Sequence, residues 1–176
     1  MKILLIIILA AFTGISNLDE RILNDGSLVV PGRGAEKVLV NEKAKELIGL
    51  KGYPDKVSEF EERKELFTDV FKVKSPVNIF FDKIYYYTYH KAVFFIDSNI
   101  ITAIAGMSND RITPDSVRLS KGVEYFIFNY GNNNLETLKK EKGNDIIYLY
   151  SKYGIALVDD KGDDEINMYL IFPPVK

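Results

Sequence analysis

The apolar and polar positions of the chain follow a pattern that occurs twice. Residues 38–55 (VLVNEKAKELIGLKGYPD) match residues 117–134 (VRLSKGVEYFIFNYGNNN) without a gap. Both segments place apolar residues at i, i+3 and i+4, which predicts an amphipathic helix. Gly52 and Gly131 follow the apolar stripe, where a helix commonly ends. The stripe residues are Ala44, Leu47 and Ile48 in the first copy and Val123, Phe126 and Ile127 in the second.

A second internal match lies downstream of each helix. Residues 86–97 (YYTYHKAVFFID) align with residues 148–159 (YLYSKYGIALVD). Both segments are rich in aromatic and β-branched residues, as strands are. Each is followed by turn residues and another apolar run, at 100–105 and 166–172, so β-hairpins are predicted.

The segment between helix and hairpin is longer in the first copy. Residues 58–71 (SEFEERKELFTDVF) are predicted to form a second helix, with Ser58 and Glu61 as a capping box. Residues 135–141 take its place in the second copy. The predicted fold is α+β, with two tandem helix-helix-antiparallel-sheet (ααβββ) repeats in one compact unit. The repeats span 31–107 and 108–176 after an N-terminal extension at 17–30, although chance similarity between two helix-hairpin segments would give the same pattern.

The N-terminus carries the pattern of a secretory signal peptide. Lys2 precedes an apolar run at 3–12, which is followed by small and polar residues at 13–17. The run is too short for a membrane-spanning helix. We therefore predict a signal peptide at 1–16, a secreted or periplasmic protein and no membrane insertion after signal removal. A buried N-terminal element or an uncleaved anchor are the alternatives.

Composition removes several classes of function. The net charge is −2 and the chain is 27% charged, so a basic surface for nucleic acid is not expected. The lack of cysteine excludes disulfides, thiolate metal sites and thiol nucleophiles. His90 is the single histidine, which leaves no multi-histidine metal site. No cofactor and no metal site are predicted.

Three local patterns indicate surface loops better than chemistry. No Gly-x-Ser-x-Gly sequence accompanies His90, so a catalytic triad is not indicated. Residues 159–165 (DDKGDDE) lack the ligand order of a calcium loop, and residues 31–34 (PGRG) lack the Gly-Lys-Ser/Thr of a phosphate loop. A non-enzymatic protein is therefore predicted.

Alternation along the strands predicts which side chains leave the core. Tyr85 and Tyr87, with Ile147 and Leu149, are expected to face the helices. The opposite face would then present aromatic side chains, which interfaces favour. The alternative is that these tyrosines fill a sheet face closed by the other repeat. The predicted binding residues are Tyr86, Thr88, His90, Phe94, Tyr148, Tyr150, Lys152 and Tyr169.

Three short sequences carry a resemblance to a known family. They are Pro31-Gly32 before the first unit, Gly52-Tyr53-Pro54-Asp55 at the end of the first helix, and Tyr153-Gly154-Ile155 at the start of a strand. In these features the chain resembles the tandem ααβββ repeats of the β-lactamase-inhibitor-protein-like superfamily, which includes outer-membrane assembly lipoproteins of the SmpA/OmlA type. The chain departs from that pattern in having Lys91-Ala92 where the second copy has Tyr153-Gly154. The resemblance implies an exported, non-enzymatic protein that binds another protein through a sheet face.

Three functions follow from the sequence as expectations. The first is an exported binding protein, inhibitor-like or an envelope factor, that contacts a protein partner through the aromatic sheet face. The second is a small-ligand carrier whose cavity is lined by the same aromatic residues. The third, less favoured, is a hydrolase that uses His90 and a carboxylate.

Overall fold

A computed structural model describes residues 17–140, 143–163 and 165–175 of the protein. The predicted signal peptide at 1–16 lies outside the described residues. Helical segments are 17–24 (α1), Ala44–Lys51 (α2), a π-helix at Leu66–Phe71, a 3-10 turn at Leu119–Lys121, and Val123–Tyr130 (α3). The strands are Gly34–Ala35 (β1), Val38–Leu39 (β2), Lys56–Glu65 (β3), Phe80–Tyr87 (β4), Ala92–Asp97 (β5), Ile100–Met107 (β6), Glu136–Lys139 (β7), Ile146–Tyr150 (β8), Ile155–Asp159 (β9) and Met168–Ile171 (β10).

One antiparallel sheet of eight strands organises the chain. Its order is β3-β4-β5-β6-β10-β9-β8-β7, and β1 and β2 form a separate small hairpin. The first half contributes α2 and β3–β6, and the second contributes α3 and β7–β10. The halves join at the centre of the sheet, where Ile104 of β6 pairs with Ile171 of β10. The α+β class predicted from the sequence is confirmed.

Both predicted amphipathic helices form, and both end at the predicted glycine. Gly52 has φ 80° and donates its N–H to the Ile48 carbonyl, while Gly131 has φ 76° and donates to the Ile127 carbonyl. A left-handed dihedral costs glycine little, since it has no Cβ. The predicted β5–β6 hairpin also forms, with Ser98 and Asn99 at positive φ in its two-residue turn.

The predicted second helix at 58–71 is wrong. Residues up to Glu65 belong to β3, and only Leu66–Phe71 is helical, as a π-helix whose start is capped by the Glu65 carboxylate. β3 lies at the edge of the sheet and carries charged residues on most of its length, which protects an open edge from pairing with other chains. A charged edge strand lacks the apolar alternation of an internal strand. Each half thus has one α-helix before its four sheet strands, the first half also has the π-helix between β3 and β4, and the ααβββ order is not observed.

The sheet is buried on both faces, by different parts of the chain. One face packs against α2 and α3 through residues such as Leu47 and Phe126. The opposite face packs against Leu66 and Phe67 of the π-helix and against the segment that follows it. Apolar residues are therefore required on both sides of the central strands.

Residues 17–30 form part of the same folded unit. Ile22, Leu28 and Val30 are buried together, and Leu28 forms a parallel bridge with Ile112. Arg33 binds Asp19 of α1 through both carboxylate oxygens, each 2.6 Å from one guanidinium nitrogen. Within the part of the chain that the structure describes, no helix is both long and apolar enough to cross a membrane.

Candidate functional site

The predicted aromatic binding face is largely covered. Phe94, Tyr148, Tyr150 and Tyr169 are buried against the helices, so their predicted exposure is wrong. Tyr86 lies on the opposite face and is partly buried. The remaining members, Thr88, His90 and Lys152, stand in turns, with Thr88 and Lys152 exposed and His90 half-buried.

A shift of one residue explains this error. The Tyr87 hydroxyl donates to the Gly52 carbonyl at 2.8 Å, and the Tyr150 hydroxyl donates to the Gly131 carbonyl at 3.2 Å. Tyr87 therefore corresponds to Tyr150 in the structure, whereas the sequence match of 86–97 with 148–159 aligns Tyr87 with Leu149. A shift by one residue moves every side chain of a strand to the other face. Tyr87 faces the helices as predicted, while Ile147 and Leu149 do not.

A pocket of about 650 Å³ opens at one end of the sheet. Its walls come from the β1–β2 turn, the end of α2, the β4–β5 turn and the segment after β6. We call it the basic pocket, and its acidic and basic residues are Glu36, Lys37, Lys51, His90, Lys91, Asp110 and Arg111. Of the predicted binding residues, only His90 lines it.

A buried carboxylate anchors the pocket wall. Glu36 is only 4% exposed. Its Oε1 accepts hydrogen bonds from the Arg111 guanidinium and, at 2.7 Å, from the Tyr169 hydroxyl. The Tyr169 ring crosses Gly106, where an added Cβ would lie 2.5 Å from the tyrosine oxygen. Only glycine at this position allows the ring to reach Glu36.

The turn that carries Glu36 is held in an unfavourable conformation. Glu36 and Lys37 have φ of 58° and 63°, as the two central residues of a β1–β2 hairpin. Turns with two positive φ values favour Asn-Gly, and other residues pay about 1–2 kcal/mol each in the left-handed region. Such strain is commonly found at functional sites. Here it places Glu36 on Arg111 and Lys37 at the pocket.

Positive charge in the basic pocket is incompletely neutralised. Burial lowers the pKa of Lys51, and Lys37 and Arg111 add to that lowering while Glu36 opposes it. Burial also lowers the pKa of His90, with Lys51 adding to the effect and Glu36 and Asp55 opposing it. The Arg111 Nε atom is buried and has no hydrogen-bond partner. The cationic side chains therefore face each other with two nearby carboxylates, Glu36 and Asp110, one of them already bound to Arg111.

The corresponding position in the second half is filled. The turn at 151–154 matches the β4–β5 turn at 88–91. In the second half, however, Gly154 packs against Gly32, which precedes β1. Its carbonyl accepts the Gly32 N–H at 3.1 Å, and an added Cβ would lie 2.7 Å from the Gly32 Cα. In the first half the corresponding turn residue is Lys91, which lines the basic pocket.

An apolar groove of about 250 Å³ lies beside the basic pocket, on the opposite face of the sheet. Lys91 and Met107 line both the groove and the pocket. The remaining groove residues are almost entirely apolar and include Phe71, Tyr86, Val93, Phe95 and Met168.

Sequence reasoning does not find Glu36, Arg111 or Lys51 as site residues. Glu36 and Arg111 are 75 residues apart and belong to no recognisable motif. The signal that could have pointed to Glu36 is the two-residue spacing between apolar Ala35 and Val38, which predicts a tight turn without Asn or Gly. No group of three or more histidine, aspartate or glutamate residues that could hold a metal ion occurs among the described residues.

No protein-family model matches the sequence, and no significant match to a curated protein was found. Three solved structures show weak similarity. An extracellular protein containing an SCP domain from Bacillus anthracis has 9% identity over 76% of this chain and 44% of its own, with a TM-score of 0.44. A DUF4309 family protein from Bacillus subtilis has 14% identity over 90% of this chain and 95% of its own, with a TM-score of 0.44.

The third is a cysteine-rich secretory protein from Staphylococcus aureus, with 12% identity over 85% of this chain and 50% of its own and a TM-score of 0.43. The chain spans about half the length of this protein and of the Bacillus anthracis protein. Similarity at this level transfers no function.

Proposed function

We propose that this is a non-enzymatic binding protein that holds a small organic anion in the basic pocket. The observation that carries the proposal is the convergence of Lys37, Lys51 and Arg111 on one concave site. The unpartnered Arg111 Nε provides a buried donor that an anionic oxygen could satisfy. Hydrogen bonds between charged groups are stronger than neutral ones, and pockets of this size suit small ligands.

The absence of catalytic groups in the pocket supports binding over reaction. The ring of His90 contacts Tyr87 and Tyr89. Among the residues the structure describes, His90 has no hydrogen bond to a serine hydroxyl or a carboxylate, as a nucleophile with its general base would require. Glu36 is occupied by Arg111 and Tyr169.

This proposal modifies the small-ligand carrier expected from the sequence. The aromatic residues expected to line a cavity are instead packed in the core between sheet and helices, where the ring centroids of Tyr150 and Phe126 are 5.3 Å apart. The ligand site lies instead at the end of the sheet. Export from the cell remains part of the proposal, on the basis of residues 1–16, and the family resemblance remains a prediction.

The proposal is tested by anion titration of the mature chain. A panel of carboxylates and phosphate monoesters is titrated while backbone amide NMR shifts are recorded. We expect saturable shifts at the β1–β2 turn and the β4–β5 turn. Lys51→Gln should weaken binding about tenfold or more, the value of one charged hydrogen bond.

Lys45→Gln is the matched control, because Lys45 lies on the same helix but is exposed and lies outside the pocket. This variant should bind like the wild type. Equal losses in both variants would show only a general charge effect and would contradict the proposal, as would the lack of saturable shifts with every anion.

A protein partner is a second candidate function, on a different surface from the one predicted. Phe128 and Tyr125 of α3 are 88% and 57% exposed, which is unusual for large apolar side chains on one short helix. A photo-reactive amino acid at position 128 should form one defined protein adduct in an envelope extract. The same group at position 45 should not. Identical adducts from both positions would contradict this candidate.

A further inference from the structure

The basic pocket and the apolar groove meet at the same end of the sheet. Lys91, in the β4–β5 turn, and Met107, at the end of β6, line both concavities. These two side chains thus form the boundary that a molecule spanning the pocket and the groove would cross. A lysine at such a boundary can lay its methylenes along apolar surface while its ammonium group stays with polar partners.

The two concavities differ sharply in chemistry. The pocket gathers cationic side chains around Glu36, whereas the groove is lined by side chains such as Val93, Phe95 and Met168. The groove face is covered in part by the π-helix, whose Phe71 forms one wall. The combined surface is cationic at one end and apolar at the other, which complements a molecule with an acidic head and an alkyl tail.

We propose that the ligand is a single-chain amphiphilic anion, a fatty acid of medium length, with its carboxylate in the basic pocket and its chain in the apolar groove. This inference rests on the proposed anion-binding function and names its ligand class. The groove volume of about 250 Å³ corresponds to about eight water molecules at roughly 30 Å³ each. Because a methylene group is similar in size to a water molecule, the groove accommodates one alkyl chain of about eight carbons.

A chain-length series in the wild-type protein tests the inference without any substitution. Dissociation constants are measured by calorimetry for straight-chain carboxylates from butyrate to decanoate, below their micelle concentrations. Each methylene that enters the groove should strengthen binding about three- to fourfold, until the groove is full. Affinity should therefore rise steeply toward octanoate and then level off.

Neutral and cationic analogues locate the head group. Octanol and octylamine should bind at least tenfold more weakly than octanoate, because they lack the negative charge that Lys51 and Arg111 complement. Equal binding of all three would overturn the proposal.

Substitution of one groove residue locates the tail. Val93→Asp places a charge in the groove and should abolish the dependence on chain length while butyrate still binds. The control is Val57→Asp, since Val57 is 42% exposed on β3 and lines neither concavity. If Val93→Asp does not fold, the wild-type series alone decides the question.

The outcomes separate the two proposals. A flat chain-length series with binding that depends on Lys51 would overturn the fatty-acid inference and leave the anion-binding function intact. Failure of every carboxylate and phosphate to bind would overturn both. A rising series that Val93→Asp leaves unchanged would overturn the placement of the chain in the groove.

Discussion

Glu36 and Arg111 bring opposite charges together where little water reaches them. The side chain of Glu36 is almost entirely buried and that of Arg111 is mostly buried. Such a pair adds little net stability, because desolvation of both charges offsets their attraction. Removal of one partner is far more costly, since the other charge stays buried alone.

Arg111→Ala should therefore reduce the free energy of unfolding by about 3–5 kcal/mol. Glu36→Gln introduced into that variant should recover part of the loss, because the remaining group is then neutral. Urea unfolding of the two single variants and the double variant gives the coupling free energy between Glu36 and Arg111. Strictly additive losses would contradict a coupled buried pair.

His90 should make stability depend on pH. Its charged neighbours are Lys51 on α2, Glu36 on the β1–β2 turn and Asp55 before β3, and burial together with Lys51 lowers its pKa. Because the folded state then holds this proton less tightly than the unfolded chain does, the contribution of His90 is fully present above about pH 6.5. It is lost as pH falls through the lowered pKa of the folded state.

The melting temperature of the His90→Gln variant should thus rise progressively relative to that of the wild type as pH falls from about 7 to about 5. Melting temperatures of both proteins across this range provide the measurement. A difference between the two proteins that stays constant with pH would show that His90 is not perturbed in the folded state.

Gly106 is the residue that lets Tyr169 reach Glu36. Gly106→Ala would place a methyl group against the tyrosine ring, and overpacking of a buried site costs about 1–3 kcal/mol. Gly49→Ala is the matched control, because Gly49 lies in α2 and nothing lies within 4 Å of its added Cβ. That change should stabilise the protein by about 0.5–1 kcal/mol. Chemical denaturation of both variants tests whether the predicted signs are opposite.

At the scale of elements, the β1–β2 hairpin shows a conflict between stability and the proposed site. Lys37 lies in the left-handed region and also lines the basic pocket. Lys37→Gly should relieve strain and raise stability by up to about 1 kcal/mol. The same change should weaken anion binding, because a cation leaves the pocket.

Lys72→Gly separates the two effects. Lys72 also has a positive φ, of 59°, but it ends the π-helix and lines neither the pocket nor the groove. The Lys72→Gly variant should gain about as much stability as Lys37→Gly, and its affinity for anions should be unchanged. Melting and titration of both variants provide the test, and equal affinities in Lys37→Gly and Lys72→Gly would remove Lys37 from the site.

The elements also show why some predictions succeed. α2 and α3 were predictable, because each carries an apolar stripe that ends at a glycine, Gly52 or Gly131. β3 was not, because an edge strand needs charge more than alternation, and its Glu-rich sequence also fits a helix. The local sequence pattern predicts an element correctly where that element buries one face. It fails where contacts with other strands decide whether a segment is helix or strand.

At the scale of the whole molecule, pairing register limits what the sequence can show. Tyr87 pairs with Ala92 across a four-residue turn, so Tyr85 and Tyr87 share a face with the even-numbered residues of β5. The sequence-based assignment placed Phe94 on the face opposite Tyr87, although both side chains lie on the same face in the structure. Because β5 carries apolar residues on both faces of the sheet, its composition cannot show which of its residues face the helices. The basic pocket was out of reach for a similar reason, since its buried pair is brought together only by the complete fold.

The position of β10 has a consequence for how the sheet assembles. Among the described strands β10 comes last in sequence, yet it lies between β6 and β9 in the middle of the sheet. Until residues 168–171 join the sheet, one edge of β6 and one edge of β9 therefore lack their native backbone partners. A chain in which these residues have not yet paired would keep two apolar edges open to other chains. The sheet is therefore complete only once β10 is in place, and this strand protects the inner edges of β6 and β9 from pairing with other chains.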